Sequence, residues 1–563
     1  MLPKLDKFMN TAARIVIAIF FTFFIGVLTL TSLTSTTGVE IIPAENVRDT
    51  VVQHIREGLE TVVYYSDNIL SNLIWLAVFI VAAAVIVRLS SKLDGKKFPL
   101  WLEISLLCAW TIFWGFMWVH TSQLAPSEDS LTVLNASLEA VKDKYTFMTD
   151  IRYFQYYRFQ LGYVLFNEGL IRAAQSFGEV KTLLFLQDLS VIMLASAYAA
   201  LLLSANRLFK DRRIIHIMTL LLAVTMQPVM TCSFLYGLVP GLVFGVWAVY
   251  LEIVTIQSET WKGKIIAGAL SALFVTLAVV IKSNNLIILV AMGIYAVVHM
   301  FRDKKSFICL CAVIAGLIGS VAVPEAIARS YEDRADKNLG DSIPFVSWFA
   351  MGMQEGPNAP GWYNYGATMA NFENANFDAD LAAERSVEEI KKRMEVFNED
   401  KQYRNDFFFK KFTSMWNETS YESIWNNQVR AQYKEKTGLA KWACGKGEKK
   451  LKRFMDLLAQ FVFVGSLAAV VYCMKTKNTL AFFPALITVG GILYHLLAEA
   501  KSQYAIPYYV WITAFAAVGI VYISDMITPI AAAKVKSVIG KTPTEKSEEK
   551  APIKSKRMKK RGK

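Results

Sequence analysis

Residues 13–33 read ARIVIAIFFTFFIGVLTLTSL, an apolar run interrupted only by Arg14 and by small or hydroxyl side chains. A helix of roughly 20 apolar residues crosses the hydrocarbon core of a bilayer. The run is longer than the apolar part of a signal peptide and lacks the small-residue cleavage pattern of one. We therefore predict a retained transmembrane helix here. In all, about twelve segments of the chain pass the same length test.

The composition points to the same class of protein. Of the 563 residues, 54% are hydrophobic and 19% are charged, whereas about a quarter of a soluble protein is charged. Five of the six cysteines lie in apolar stretches, so no disulfide framework or zinc site is indicated. The net charge of +13 is concentrated in a basic C-terminal segment, which suits a disordered cytoplasmic tail near anionic lipid better than nucleic-acid binding. These features predict an all-α polytopic membrane protein.

Basic residues mark every second connection between the predicted spans. Short connections rich in lysine and arginine lie on the cytoplasmic side of membrane proteins. The pattern therefore predicts that both termini are cytoplasmic and that the long polar loops are extracytoplasmic. The residues that carry it are Lys4, Lys7 and Arg14, then Arg88, Lys92, Lys96 and Lys97, then Arg207, Lys210, Arg212 and Arg213, then Lys262 and Lys264, then Arg302, Lys304 and Lys305, and finally Lys475 and Lys477.

Two predicted extracytoplasmic segments are long and divide the chain. We expect an N-terminal membrane bundle over residues 1–324, which includes a first loop at 120–181, and a large external loop region at 325–453. The remaining spans occupy 454–528, and 529–563 form the basic tail. Helical spacing of apolar residues predicts an interfacial helix at 160–175, and a charged stretch that begins at Asp378 predicts a solvated surface helix.

The first candidate site follows the third span, in the stretch APSEDSLTVLNASLEAV. Glu128 and Asp129 are adjacent carboxylates at a low-dielectric boundary, where such pairs form general bases or cation ligands. The alternative is that Ser127 or Asp129 caps the following helix. Downstream, Arg158 and Gln160 lie among several tyrosines that an interfacial aromatic belt would also explain.

Three further stretches place polar residues at the predicted external face. Lys282, Asn284 and Asn285 interrupt VIKSNNLIIL, which is either a simple turn or a phosphate contact. Charged groups between two spans are costly unless they face water or a ligand. Such groups, Glu499 and Lys501 with Tyr504 nearby, close the eleventh span in HLLAEAKSQYAIPYY, where His495 suits a packed position.

The third of these stretches is MGMQEGPNAPGWYNYG, which begins at Met351. Its glycines and prolines fix a turn-rich loop. Trp362, Tyr363 and Asn364 offer flat faces and an amide of the kind that sugar rings contact. The alternative is an aromatic loop that packs down on the bundle.

Together these motifs resemble the GT-C superfamily of integral-membrane glycosyltransferases, in the group that includes protein O-mannosyltransferases and the bacterial aminoarabinose transferase. PSEDS occupies the place of the acidic motif after a span, YYRFQLGYVLFNEGL is similar to the segment that precedes an interfacial helix, and EAKSQYAIPY is similar to the late element that ends the bundle. Two positions depart from the motifs of this family. Arg158 stands where proline is common, and Lys501 stands where arginine is more frequent.

The resemblance implies inverting transfer of a sugar from a polyprenyl-phosphate carrier to an extracytoplasmic glycan, lipid or protein. Asp129 would be the general base, supported by Glu128, and a divalent cation stays possible although no HxxH pattern or Cys/His set is present. The donor phosphate would be bound by Lys282, Lys501, Arg158 and Tyr504, and the substrates by Gln160, Asn284, Asn285, Trp362, Tyr363, Asn364 and Glu499.

Two other classes stay open at this point. About twelve spans with both ends inside are also typical of secondary transporters, and a non-catalytic flippase or scaffold of envelope assembly is a third option. The large loop at 325–453, the lack of similarity between the two halves and the lack of a Gly/Pro-broken helix pair favour the transferase.

Overall fold

A computed structural model describes residues 2–42, 59–93, 98–150, 152–302, 304–356 and 358–539. Within these residues the protein is helical except for one antiparallel hairpin, formed by β1 (Ser35–Ile42) and β2 (Leu59–Ser66). The predicted all-α class is therefore confirmed, with a hairpin that the sequence analysis did not predict.

The helices of the first part of the chain alternate between long apolar elements and short connecting ones. They are α1 (Leu2–Thr34), α2 (Ile69–Ser90), α3 (Leu100–Ser122), α4 (Glu128–Val141), α5 (Tyr153–Tyr156), α6 (Leu161–Gln175), α7 (Thr182–Leu208), α8 (Arg212–Val224), α9 (Gln227–Thr231), α10 (Leu238–Gln257), α11 (Trp261–Ile281), α12 (Leu286–His299) and α13 (Phe307–Ala335).

The second part begins with a run of shorter, more polar helices and returns to the membrane with three long ones. They are α14 (Val346–Gly352), α15 (Asn371–Asn374), α16 (Ala379–Glu399), α17 (Lys401–Trp416), α18 (Trp425–Val429), α19 (Gly438–Ala443), α20 (Glu448–Thr476), α21 (Phe483–Leu497) and α22 (Ile506–Ile539).

Among the described residues, ten helices are long and apolar enough to cross a membrane. The other two predicted spans are shorter in the structure. One is the apolar helix Ser283–His299, and the other is α8, which ends at Val224 before α9 resumes at Gln227. Pro228 at the start of α9 lacks the backbone N–H that a continuous helix needs, which explains the break. The chain is an integral membrane protein.

The predicted cytoplasmic connections meet at one end of the bundle. Arg212 lies 2.9 Å from Glu103, and Arg213 lies 2.7 Å from Asp525 near the end of the chain's last span. Arg14 donates a hydrogen bond to the carbonyl of Lys477. The alternating direction of the spans therefore agrees with the charge pattern, while the side of the membrane on which each end lies stays a prediction.

The hairpin and both long loops pack together at the opposite end. The backbone N–H of Thr37 in β1 donates to the carbonyl of Asn417 at 3.3 Å, and the Tyr64 hydroxyl donates to the carbonyl of Lys410 at 3.1 Å. Loop residues 121–125 pair with 431–437 through backbone hydrogen bonds. One polar layer therefore covers this end of the bundle.

The two helices predicted in the loops are present, α6 at Leu161–Gln175 and α16 at Ala379–Glu399, whose N-cap is Asp378. The last helix continues to Ile539, past the predicted start of the tail at residue 529, in a stretch with three consecutive alanines that favour helix. Residues 540–563, most of the predicted disordered tail, lie outside the described residues.

Candidate functional site

The acidic motif forms the first turn of α4. Ser127 is the N-cap residue, but its side chain makes no capping hydrogen bond, and Glu128 has a backbone φ of 52° in the left-handed region. That conformation is uncommon for a residue other than glycine and is often held at functional sites. Asp129 is half-buried and accepts a hydrogen bond of 3.1 Å from the Tyr236 hydroxyl. Ser127 thus occupies the N-cap position without a capping bond, and both acids lie in the first turn, where the helix dipole favours them, while Asp129 also has a partner outside the helix.

The large loop holds this turn in place. Arg430 donates to the hydroxyl of Ser127 at 2.8 Å and to the carboxylate of Glu128 at 2.9 Å. A further bond joins Arg430 to Asn426 at 2.7 Å. Burial raises the pKa of Glu128, but the ion pair with Arg430 outweighs burial and lowers the pKa below its usual value. Glu128 is thus a charged partner of Arg430.

Lys282 follows the end of α11 and is 8% exposed. Its Nζ lies 3.6 Å from the ring centroid of Tyr236 and 5.6 Å from that of Tyr504. None of the described residues offers this Nζ a hydrogen-bond acceptor or a carboxylate within ion-pair distance. Burial lowers the pKa of Lys282 to about 8, and the negative charges of Asp129 and Glu499 oppose that shift. The ammonium therefore lies against the Tyr236 ring and in the field of both carboxylates, and the described residues give it no hydrogen-bonded or ion-paired partner.

The segment between α21 and α22 supplies the second carboxylate and the second lysine. Burial raises the pKa of Glu499 to about 7, while the charges of Lys501 and Lys282 oppose the shift. The Tyr504 hydroxyl lies 3.5 Å from Glu499 Oε2. Lys501 lies 3.6 Å from the carboxylate of Glu422, which is fully buried. This segment therefore contributes one carboxyl group that is about half protonated near pH 7 and one lysine that is paired with a carboxylate.

These contacts define what we call the acid–lysine cluster, at the end of the bundle covered by the loops. Its members come from four separate stretches of sequence, and they combine two acids, two lysines and two tyrosines. Such a set can accept a proton near neutral pH and can bind an anion. The members are Asp129, Tyr236, Lys282, Glu499, Lys501 and Tyr504.

Two more tyrosines border the cluster. The pKa of Tyr157 is raised, first by burial and then by Tyr363 and the charges of Asp129 and Glu499. Tyr363 is 41% exposed, and its pKa is also raised, by burial first and then by the same two carboxylates. Tyr157 in turn stacks on Trp348 with 6.0 Å between ring centroids. The cluster therefore has an aromatic border that remains partly open.

Several predicted site residues have structural partners instead. Arg158 lies 3.4 Å from Glu325 and 3.3 Å from Glu332, so its guanidinium is paired with two carboxylates of α13. The Asn285 amide donates at 3.0 Å to each of two carbonyls at the end of α11, and the side chain is 7% exposed. The predicted roles of these two residues, in binding the phosphate and the substrates, stay predictions.

The Gly/Pro loop also packs down, as the alternative expected. Trp362 is 1% exposed and donates to the Ser414 hydroxyl at 2.9 Å, so its faces are not open to a sugar. The side chain of Asn364 bonds within the same loop. Its amide N–H donates to the carbonyl of Glu355 at 3.2 Å, and its Oδ1 accepts from the backbone N–H of Gly366 at 2.9 Å. Gln160 is buried before α6, and Asn284 is half-buried. Trp362 borders the cluster, because its ring centroid lies 5.9 Å from Lys501 Nζ, while the contacts described for Asn364 lie within its own loop.

Three residues of the site were not predicted. Tyr236 lies in the turn before α10, where Gly237 at a φ of 74° allows the backbone to lie close to the end of α11. Arg430 and Glu422 belong to the large loop, whose local sequence does not indicate which charges fold back onto the bundle. The Tyr-Gly pair at an external turn was the only local signal for any of the three.

The described residues contain no group of three or more His, Cys, Asp or Glu side chains placed to hold a metal ion. Glu128, one of the two adjacent carboxylates that could form a cation ligand, forms an ion pair with Arg430.

Comparisons with known proteins give only distant structural likenesses. No family model and no curated protein matches the chain. A solved structure of the archaeal oligosaccharyltransferase AglB from Archaeoglobus fulgidus, in complex with an inhibitory peptide and a dolichol-phosphate, aligns with a TM-score of 0.37 and 11% identity over 80% of this chain and 53% of that chain. This chain thus spans about half the length of that relative, and the likeness is too distant to carry an argument.

Proposed function

We propose that this protein is a membrane glycosyltransferase that moves a sugar from a polyprenyl-phosphate carrier to an acceptor hydroxyl on the extracytoplasmic side. The observation that carries the proposal is the Lys282 ammonium, buried between two tyrosine rings with no acceptor among the described residues. A buried cation that lacks a hydrogen-bonded or ion-paired partner is costly, so we take this position as one where an anion binds. The phosphate of a polyprenyl-phosphate sugar is such an anion.

In the proposed reaction one part of the cluster accepts a proton and the other part binds the phosphate of the leaving group. Asp129 accepts the proton of the acceptor hydroxyl, whose oxygen attacks the anomeric carbon from the face opposite the phosphate. The bond from that carbon to the phosphate oxygen breaks, and the electron pair leaves with the polyprenyl phosphate. Lys282 and Lys501 stabilise the negative charge that develops on this leaving group. One bond forms and one breaks with inversion, and no other reactant is needed.

The remaining contacts suit roles around this step. The Tyr236 hydroxyl orients the Asp129 carboxylate at 3.1 Å, and Glu128 with Arg430 fixes the turn that carries it. The exposed face of Tyr363 lies at the border of the cluster, where it can contact a sugar ring. Because the pKa of Glu499 is about 7, its carboxyl group is about half protonated at pH 7 and can either donate a hydrogen bond to a substrate hydroxyl or accept one from it.

A reconstituted assay tests the proposal. Purified full-length protein in nanodiscs is incubated with polyprenyl-phosphate sugars and candidate acceptors, and free polyprenyl phosphate and glycosylated product are measured by mass spectrometry. We expect equal amounts of both products. Sugar uptake into proteoliposomes without cleavage of the carrier would instead support the secondary-transporter alternative and overturn the proposal.

A further inference from the structure

Lys411 is a buried lysine that the proposed chemistry does not use. It lies on α17 in the large loop and is 1% exposed. Its Nζ donates to the carbonyls of Leu496 at 3.0 Å and Ala498 at 2.8 Å, and to the carbonyl of Gly352. All three donors of the ammonium group are therefore used by backbone carbonyl oxygens.

Two of these carbonyls are those that the end of a helix leaves without partners. Helix α21 ends at Leu497, and its last carbonyls have no partner within the helix. A cation is also favoured at a helix C-terminus by the helix dipole. Lys411 thus closes α21 directly before Glu499 and Lys501, the two residues that this segment contributes to the cluster.

Two glycines allow the close approach. Gly361 has a φ of 71°, and a Cβ there would lie 2.4 Å from Lys411 Cε. A Cβ on Gly352 would lie 2.3 Å from the carbonyl oxygen of Leu497. The backbone N–H of Ala500 donates to the Gly361 carbonyl at 2.8 Å. The Gly/Pro loop, Lys411 and residues 496–500 therefore form one interlocked unit.

We infer that Lys411 is a positioning residue that holds the Glu499–Lys501 segment in the geometry the cluster requires, an inference that rests on the proposed function. Misplacement of a reacting group by about 1 Å costs on the order of 100-fold in rate. Burial lowers the pKa of Lys411 to about 7 and the charge of Glu499 opposes the shift, so the two groups lie in each other's field.

The test compares Lys411→Met with Lys410→Met in the full-length protein. Methionine keeps the length and apolar stem of the side chain but removes all three donors. Lys410 is the adjacent exposed lysine, which pairs with Asp406 at 2.7 Å, and is the matched control. Hydrogen exchange followed by mass spectrometry should show about 10-fold or greater loss of protection in residues 496–505 of Lys411→Met alone, with α7 unchanged.

The kinetic readout separates positioning from general stability. Lys411→Met should lower kcat by about 10- to 100-fold at a similar KM for the acceptor, while Lys410→Met keeps the wild-type values. If Lys411→Met does not fold, Gly361→Ala replaces it, because its methyl group displaces the lysine. Wild-type exchange at 496–505 in a folded variant would overturn the inference. Since exchange needs no turnover, it tests Lys411 even if no sugar transfer is found.

Discussion

The substitution Lys282→Met should weaken donor binding without lowering the stability of the protein. The lysine is 8% exposed and has a pKa lowered by burial to about 8, so its protonated form is disfavoured in the folded protein. A lowering from 10.5 to about 8 corresponds to roughly 3 kcal/mol against the charge. Methionine retains the apolar stem without that cost. We therefore expect thermal stability in nanodiscs to be unchanged or higher.

Donor binding should fall. A hydrogen bond from an ammonium to a phosphate contributes about 1.5–3 kcal/mol, which corresponds to roughly 10- to 150-fold in Kd. Because Lys282 is protonated only below its pKa of about 8, wild-type affinity for polyprenyl phosphate should decrease as the pH rises through that value. In Lys282→Met this part of the pH dependence should be absent.

Binding of polyprenyl phosphate to the protein in nanodiscs, measured by native mass spectrometry between about pH 6 and 9, gives both quantities. Lys337→Met, at an exposed position after α13, is the control and should match the wild type. A purely structural lysine would give lower stability and unchanged affinity. That result, or the same pH dependence in Lys282→Met and wild type, would refute the reasoning.

Three other predictions concern the same cluster and its side of the membrane. Lys501→Arg should retain most donor affinity and Lys501→Gln should lose it, because charge is the required property; equal affinities in the two would exclude the role. Burial raises the pKa of Glu499 to about 7, so its repulsion of phosphate increases above that pH. Donor binding by Glu499→Gln should then vary less across pH 7 than wild-type binding, and an unchanged profile would contradict this. A cysteine at Tyr363 should react with an impermeant thiol reagent in intact cells and one at Lys477 should not; the reverse would overturn the orientation.

Much of the fold could be predicted because the bilayer imposes a simple rule. Apolar length and alternating basic connections predicted the class, about twelve spans and the grouping of their ends. The lengths of α8 and α12 were not predicted. Both helices are shorter than an ordinary span, and α8 ends before Pro228. The hairpin β1–β2 was not predicted, although β2, which reads LETVVYYS, is rich in the β-branched and aromatic side chains that favour strands.

The site was partly predictable for a different reason. Asp129, Lys282, Glu499 and Lys501 break apolar patterns at span ends, and such interruptions are visible in the sequence. Whether a polar side chain faces a ligand or a backbone carbonyl is decided by tertiary packing. That distinction separates Lys282, which has no acceptor among the residues that the structure describes, from Asn285, whose amide closes α11.

The central claim is that Asp129 is the base for sugar transfer at this cluster. The most direct test is the rate of transfer by Asp129→Asn, which keeps the shape and removes the base, against Glu128→Gln, which removes only the ion pair with Arg430. We predict a loss on the order of 100-fold or more for Asp129→Asn and measurable activity for Glu128→Gln, at equal protein levels. Transfer by Asp129→Asn at the wild-type rate across neutral pH would contradict the claim.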